Sequence, residues 1–371
     1  MSGHVVFRDM RPEDVKVITF GEPGSLIDRV DRPDVVARVA LYENRIVGYA
    51  VSWLAVVHRT RRFIDVEVHP DSRGHRIGTR LVRQIQQRVD RPLATKAIAG
   101  SDAESFILSL GGEVYASCPP FELPRRHFGR AVEVLEGVSL GPGGAISGAT
   151  LAPGVLETLW EQMYVWMHAS WSPVDDSEAA HEALRQELEE LDSEATRVAL
   201  VDGQPAAVAF VFVDENPTVV AETVQAGTPA GDNAVASAMS SVITWAEDAG
   251  YKRINFDGHR SDPHFGPLAS RLPLEGASLN LMEIWSCLLT TLVIRRMVAQ
   301  PSLRDVTGEK AWAGAGGTDR PGPARPLSLW ARKVSLVAQR HVPMQPEATR
   351  TVVRGNGGTH AWNRRHGYPM G

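Results

Sequence analysis

The clearest pattern along the chain is a pair of matching hairpins. RVALYENRIVGYAVSW (38–53) and RVALVDGQPAAVAFVF (197–212) each place two apolar or alternating runs around a short polar turn. That pattern predicts two antiparallel strands joined by a tight turn. A third apolar run follows in each case, FIDVEV (63–68) and VVAETVQ (219–225), then a loop and a helix. A fourth strand comes next, LATKAIAG (93–100) and YKRINFDG (251–258). Each step recurs at an offset of roughly 157 to 159 residues, so the chain carries two copies of one α/β unit.

The helix after the first loop is well specified. From Arg76 to Asp90 the residues Ile77, Leu81, Val82, Ile85 and Val89 form one apolar stripe at helical spacing. Arg88 suits the last turn and Pro92 ends the helix. A Gly/Ser/Pro-rich stretch, GVSLGPGGAISGATLAPG (137–154), separates the copies. The division expected is 1–136, linker 137–154, 155–290, and a basic Gly/Pro-containing C-terminal extension over 291–371.

Composition adds boundaries rather than detail. At 371 residues the chain suggests two domains, and 43% hydrophobic residues is a globular content. Cys118 and Cys287 are the only cysteines, which leaves no disulfide framework and no cysteine metal site. The opening MSGHVVFRDM shows no charged leader, and CLLTTLVI (287–294) is far short of the ~20 residues of a membrane span. A cytoplasmic protein is expected, with no membrane partner. The net charge of −5 is partitioned as +3 over 1–135, −17 over 136–290 and +9 over 291–371. The acidic middle pairs with the basic tail or attracts a cationic small molecule. The tail holds no recognisable nucleic-acid module, so no nucleic acid is expected.

The chemistry concentrates in DVEVHPDSRGHRIGT (65–79), where a strand runs through a turn and a Gly/Arg loop into a helix. The first amides of a helix have no intrahelical acceptor and lie at the positive end of the dipole, so they bind anions. Gly74 and Gly78 permit close approach, Arg73 and Arg76 add charge, and Thr79 adds a hydroxyl. The Gly-Lys-Ser/Thr ending of a Walker loop is absent, and so is the dinucleotide fingerprint.

VEVHPDSRGHRIGTRL resembles the acyl-CoA signature of the GCN5-related N-acetyltransferase (GNAT) superfamily. There a strand ending Val-x-Pro leads to Arg/Gln-x-x-Gly-x-Gly/Ala and a helix. Arg73 takes the first motif position and Gly78 the last, while Arg76 occupies the central glycine position. GSDAESFILSLGGEVY (100–115) resembles the family's closing helix through Ala103, Phe106 and the Gly111–Gly112 pair, with Ile107 at the usual Tyr. The tandem arrangement resembles actinobacterial two-domain acetyltransferases of the mycothiol synthase type. In the second copy, AGTPAGDNAVAS (226–237) keeps Gly231 but has Ala230 and Val235 at the Arg73 and Gly78 positions, and Asp232 would repel a phosphate. In the tail, GGTDRPGPARPLSL (316–329) and Asn356, Asn363 and Gly367–Tyr368 resemble a further remnant.

The resemblance implies an α/β (α+β) protein of two tandem GNAT folds, each a mixed, mostly antiparallel sheet flanked by helices. It implies acetyl-CoA as co-substrate, held by Val66, Val68, Arg73, Gly74, His75, Arg76, Ile77, Gly78, Thr79 and Ser101. Amides near Val66 and Val68, freed by a strand bulge, would stabilise an oxyanion. The acceptor implied is a small-molecule primary amine, the enzyme being a monomer or homodimer. Glu67 is the first candidate base and Asp65 the second, both on one face of their strand, and Tyr115 or water is the candidate acid. A non-catalytic acyl-CoA-binding or scaffold protein fits the same loop and is favoured by Ile107. A transferase for longer acyl chains fits it too.

Three further groups read as structural. His69 belongs to a turn. His259 and His264 near Asp257 and Asp262 fit no common zinc spacing, so no metal is expected. Trp160, Tyr164, Trp166 and Trp171 read first as core packing, with an aromatic wall of an acceptor pocket as the alternative.

Overall fold

The computed structural model describes residues 4–285, apart from 22–25, 27–28, 140–144, 214 and 224–228. The C-terminal extension and its motif remnants lie outside the described residues, as do parts of the linker and of the second-copy loop.

The first half runs β1 (Val6–Asp9), α1 (Pro12–Val15), β2 (Val36–Tyr42), β3 (Arg45–Leu54), β4 (Arg62–Val68), α2 (Ile77–Gln86), β5 (Leu93–Ile98), α3 (Asp102–Ser109), β6 (Glu113–Cys118), β7 (Glu122–Pro124) and α4 (Phe128–Glu136). The second runs β8 (Ala145–Ser147), α5 (Val155–His168), α6 (Glu178–Glu187), β9 (Arg197–Val201), β10 (Gln204–Phe212), β11 (Thr218–Thr223), α7 (Pro229–Asp248), β12 (Arg253–Asp257), α8 (Phe265–Ala269) and β13 (Leu279–Ile284). Both repeated hairpins form. Glu43–Asn44 and Asp202–Gly203 turn with positive φ at both residues, which matches the twist of the flanking strands.

Two mixed sheets result, ordered β1-β2-β3-β4-β5-β13-β6 and β7-β12-β11-β10-β9-β8. In each, one pair is parallel, β4 with β5 and β11 with β12, and the rest are antiparallel. The sheets do not separate at the linker. β13, from the second half, lies between β5 and β6 of the first sheet, and β7, from the first half, closes the edge of the second beside β12.

Helix α2 packs one face of the first sheet, where Ile77, Leu81, Val82 and Ile85 meet Ile64, Leu93 and Met282. The stripe read to Asp90 ends as helix at Gln86, although Val89 still joins the core. Helix α7 packs the second sheet through Val235, Met239, Val242 and Ile243. No helix among the described residues is long and apolar enough to cross a membrane.

Candidate functional site

The site begins where β4 leaves β5. β4 pairs with β3 along its whole length, Leu54↔Arg62 through Gly48↔Val68, without a register shift. With β5 it pairs only at Arg62↔Leu93 and Phe63↔Ala94. The bulge expected in β4 is therefore not what exposes its amides; the two strands part instead. The Arg62 amide donates to the Pro92 carbonyl on the β5 side (2.9 Å), and the His69 amide donates to Val47 on the β3 side (2.9 Å). Amide direction alternates along a strand, so Val66 and Val68 point their N–H groups into the gap.

Beyond Val68 a short turn, Pro70–Ser72, delivers the chain to Arg73–Arg76, all exposed. Gly74 has φ +78° with nothing within 4 Å of an added Cβ. Arg76 is left-handed at φ 58°, ψ 19°, and stands as the residue before α2. The amides of Ile77, Gly78 and Thr79 open the helix, whose first turn carries no acidic residue. Arg73 Nε donates to the Val68 carbonyl (3.1 Å), which fixes the guanidinium group at the end of β4. His75 stands between Gly74 and Arg76 in the exposed loop.

Two expected cofactor residues have local duties. Gly78 is buried, and a Cβ there would lie 3.1 Å from the Phe106 ring, so it lets α2 approach α3. The Ser101 hydroxyl caps α3 by accepting from the Glu104 amide (3.2 Å).

The candidate catalytic groups fall in different places. Glu67 sits opposite Tyr49 in the β3–β4 ladder, and a Cβ on Gly21 would lie 2.5 Å from the Tyr49 hydroxyl and 2.8 Å from Glu67 Cγ. Asp65 faces the buried Arg29 (3.6 Å), whose guanidinium stacks over Trp53. Tyr115 lies on β6 under the Arg61 guanidinium (4.0 Å), and burial pushes its phenol up to about 12. It stays protonated at neutral pH, as an acid must.

Tyr115 lines a cavity of about 160 Å³ between the two sheets, which Asp65 and Glu67 do not line. Phe63, Lys96 and Leu281 contribute from the first sheet, Phe212, Val220 and Asp257 from the second, and Trp160, Tyr164 and His168 from α5. Ile64 packs under α2, so Phe63 and, by register, Lys96 project from the opposite face, toward the second sheet. Trp160 and Tyr164 are thus both core and cavity wall. Burial depresses the wall's histidines: His58 to about 4, His259 to about 3 and His168 well below its usual value. His58 Nε2 and the Tyr164 hydroxyl are 2.9 Å apart. Burial also lowers Lys96, opposed by Asp257, and raises Cys118 to about 12.

The His/Asp group of the second half is dispersed. Asp262 Oδ1 accepts from the amides of His264 (2.8 Å) and Phe265 (2.6 Å), while His259 Nδ1 lies 3.6 Å from Cys118 Sγ. His264 Nδ1 meets Asp232 Oδ1 at 2.7 Å. Asp232 therefore lies in the first turn of α7, where the first copy carries the phosphate-like loop.

Residues 6–102 match the model of the acetyltransferase (GNAT) family. A search of curated proteins matches none. Among solved structures, a GCN5-related N-acetyltransferase from Sphaerobacter thermophilus is 13% identical, covers 75% of this chain and 95% of its own, and has a TM-score of 0.46. One from Kribbella flavida is 14% identical over 76% of this chain and 71% of its own, with a TM-score of 0.45. A tandem GNAT protein from the clavulanic acid biosynthesis pathway is 14% identical over 76% of this chain and 98% of its own, with a TM-score of 0.44. The strand, loop and helix described above, together with the gap beside β4, lie within residues 6–102, the stretch that matches the GNAT acetyltransferase family model.

Proposed function

We propose that the protein is an N-acetyltransferase that moves an acetyl group from acetyl-CoA to a primary amine of a small molecule, with its N-terminal domain catalytic. The observation that carries this reading is the junction of two features: the parting of β4 from β5, and the open loop into α2 directly beyond it. The diphosphate falls to the amides of Ile77, Gly78 and Thr79, with Arg73 and Arg76 adding charge. The Val66 and Val68 amides donate hydrogen bonds at the edge of the gap, where a carbonyl oxygen gains negative charge during acyl transfer. Bound there, acetyl-CoA supplies an activated acyl group. Tyr115, neutral and within the cavity wall, is the side chain suited to give a proton to a leaving thiolate. Glu67, crowded against Tyr49, and Asp65, facing Arg29, serve the base role less directly, through water.

The second half supports this site, its own loop having Ala230 and Val235 at the positions of Arg73 and Gly78. Its strands also part, since β11–β12 pairing ends at Val220↔Asp257, but Glu222 and Asp262 are buried beyond that point.

Thermal unfolding of the full chain with and without acetyl-CoA tests the reading. At ~100 times its dissociation constant the ligand adds about 2.7 kcal/mol of stability. The wild type is expected to shift and Arg73→Glu to shift little. An unmoved wild type overturns the assignment. A shift with no turnover over a panel of amines identifies an acyl-CoA-binding protein instead, the reading that Ile107 at the usual Tyr position favours.

A further inference from the structure

The cavity between the sheets contains polar atoms that no group among the described residues satisfies. Both carboxyl oxygens of Glu187, at the end of α6, are buried without a hydrogen-bond partner, and so is Trp160 Nε1. Glu187 is 8% exposed and Trp160 4%, and both line the cavity. A buried carboxyl without a partner is costly, and natural folds keep few of them. They give the wall of one space an acceptor and a donor, beside the rings of Tyr164 and Trp171.

The other titratable groups around this space give Glu187 no partner. Lys96 offsets Asp257, and each imidazole of the wall is held neutral by burial. That leaves Glu187 with no cation beside it among the described residues, so burial pushes its carboxyl toward the neutral form. A bound ammonium group would supply the missing partner and favour the ionised carboxylate. Trp160, Tyr164 and Trp171 line the same space, and aromatic rings suit a cation and an apolar body alike. The volume, about 160 Å³, is below the roughly 300–1,000 Å³ of common small-molecule sites, so the occupant is compact.

We propose that this cavity binds a compact amine with one positive charge and an apolar body, its ammonium group held by Glu187 and its body against Trp160, Tyr164 and Trp171. That this amine is the acetyl acceptor rests on the transferase reading above; that it binds here does not.

The test uses the full chain without acetyl-CoA. Titration calorimetry compares 2-phenylethylamine with 2-phenylethanol, a neutral molecule of nearly the same shape, on wild type, Glu187→Gln and Glu189→Gln. The amine is expected to bind wild type about tenfold or more tightly than the alcohol. Glu187→Gln should erase that preference, and Glu189→Gln, on an exposed neighbour, should keep it. Equal binding of amine and alcohol to wild type overturns the proposal, whether or not the variants fold. So does a preference that survives Glu187→Gln. Because acetyl-CoA is absent, a failed acetyl-CoA shift leaves this result standing. An acetyl-CoA shift without amine preference removes this inference and leaves the transferase.

Discussion

At Arg76 the chain turns through a left-handed φ of 58°, a conformation that crowds a Cβ against the following carbonyl and that glycine adopts freely. The sequence marks this position as a departure, because the GNAT signature has glycine there, and the backbone supplies the reason for the glycine. Arg76→Gly is expected to stabilise the fold by about 1 kcal/mol, read as a raised denaturant midpoint, while weakening acetyl-CoA through the lost charge. An unchanged midpoint contradicts the strain. Gly78 shows the opposite lesson. Its place in the motif is legible, but a Cβ there meets Phe106, on the next helix, and only the packed helices reveal that. Glu187 was not legible at all. It reads as one glutamate in an acidic helix end, and its isolation depends on residues such as Trp160 and Asp257 that the fold alone brings near.

Elements with local causes are the ones the sequence announces. Both hairpins, the β4–loop–α2 unit and the capped α3 follow from alternation, turn residues and apolar spacing. The exchange of strands has no such cause. Nothing in LNLMEI, the sequence of β13, says that it belongs to the other half's sheet, since any apolar strand satisfies a free edge. The consequence is a dependence between the halves. Among the described residues β6 pairs with β13 alone, and β5 has β13 on the side away from β4. A fragment ending at residue 136 leaves β6 without a ladder and uncovers the apolar edge around Ala97 and Ile107. It is expected to melt without a cooperative transition by circular dichroism. A sharp melt matching that of the full chain contradicts the exchange.

For the whole molecule, the buried groups between the sheets give stability two opposing dependences on pH. His58, His168 and His259 are depressed by burial, so the folded chain binds fewer protons than the unfolded one below pH 6.5. Their contribution is present above 6.5 and is lost as pH falls, through about 4 for His58 and about 3 for His259. Each costs up to about 1.4 kcal/mol per pH unit inside its window. Glu187 and Glu222 are raised by burial, so their contribution is present below 4.5 and is lost as pH rises above it. Between 4.5 and 6.5 the two sets oppose each other, and the wild-type curve is expected to be flatter than either set alone implies. Urea midpoints from pH 4 to 8 separate them. Glu187→Gln removes a falling contribution and should steepen the rise of stability toward pH 6.5, whereas His58→Gln should make it shallower. Parallel curves for all three proteins mean that these groups titrate alike in the folded and unfolded chains. Adding 2-phenylethylamine gives the last discrimination, because an ammonium group favours the ionised carboxyl. In the wild type the amine should raise stability more at pH 7 than at pH 4.5, and in Glu187→Gln that difference should vanish.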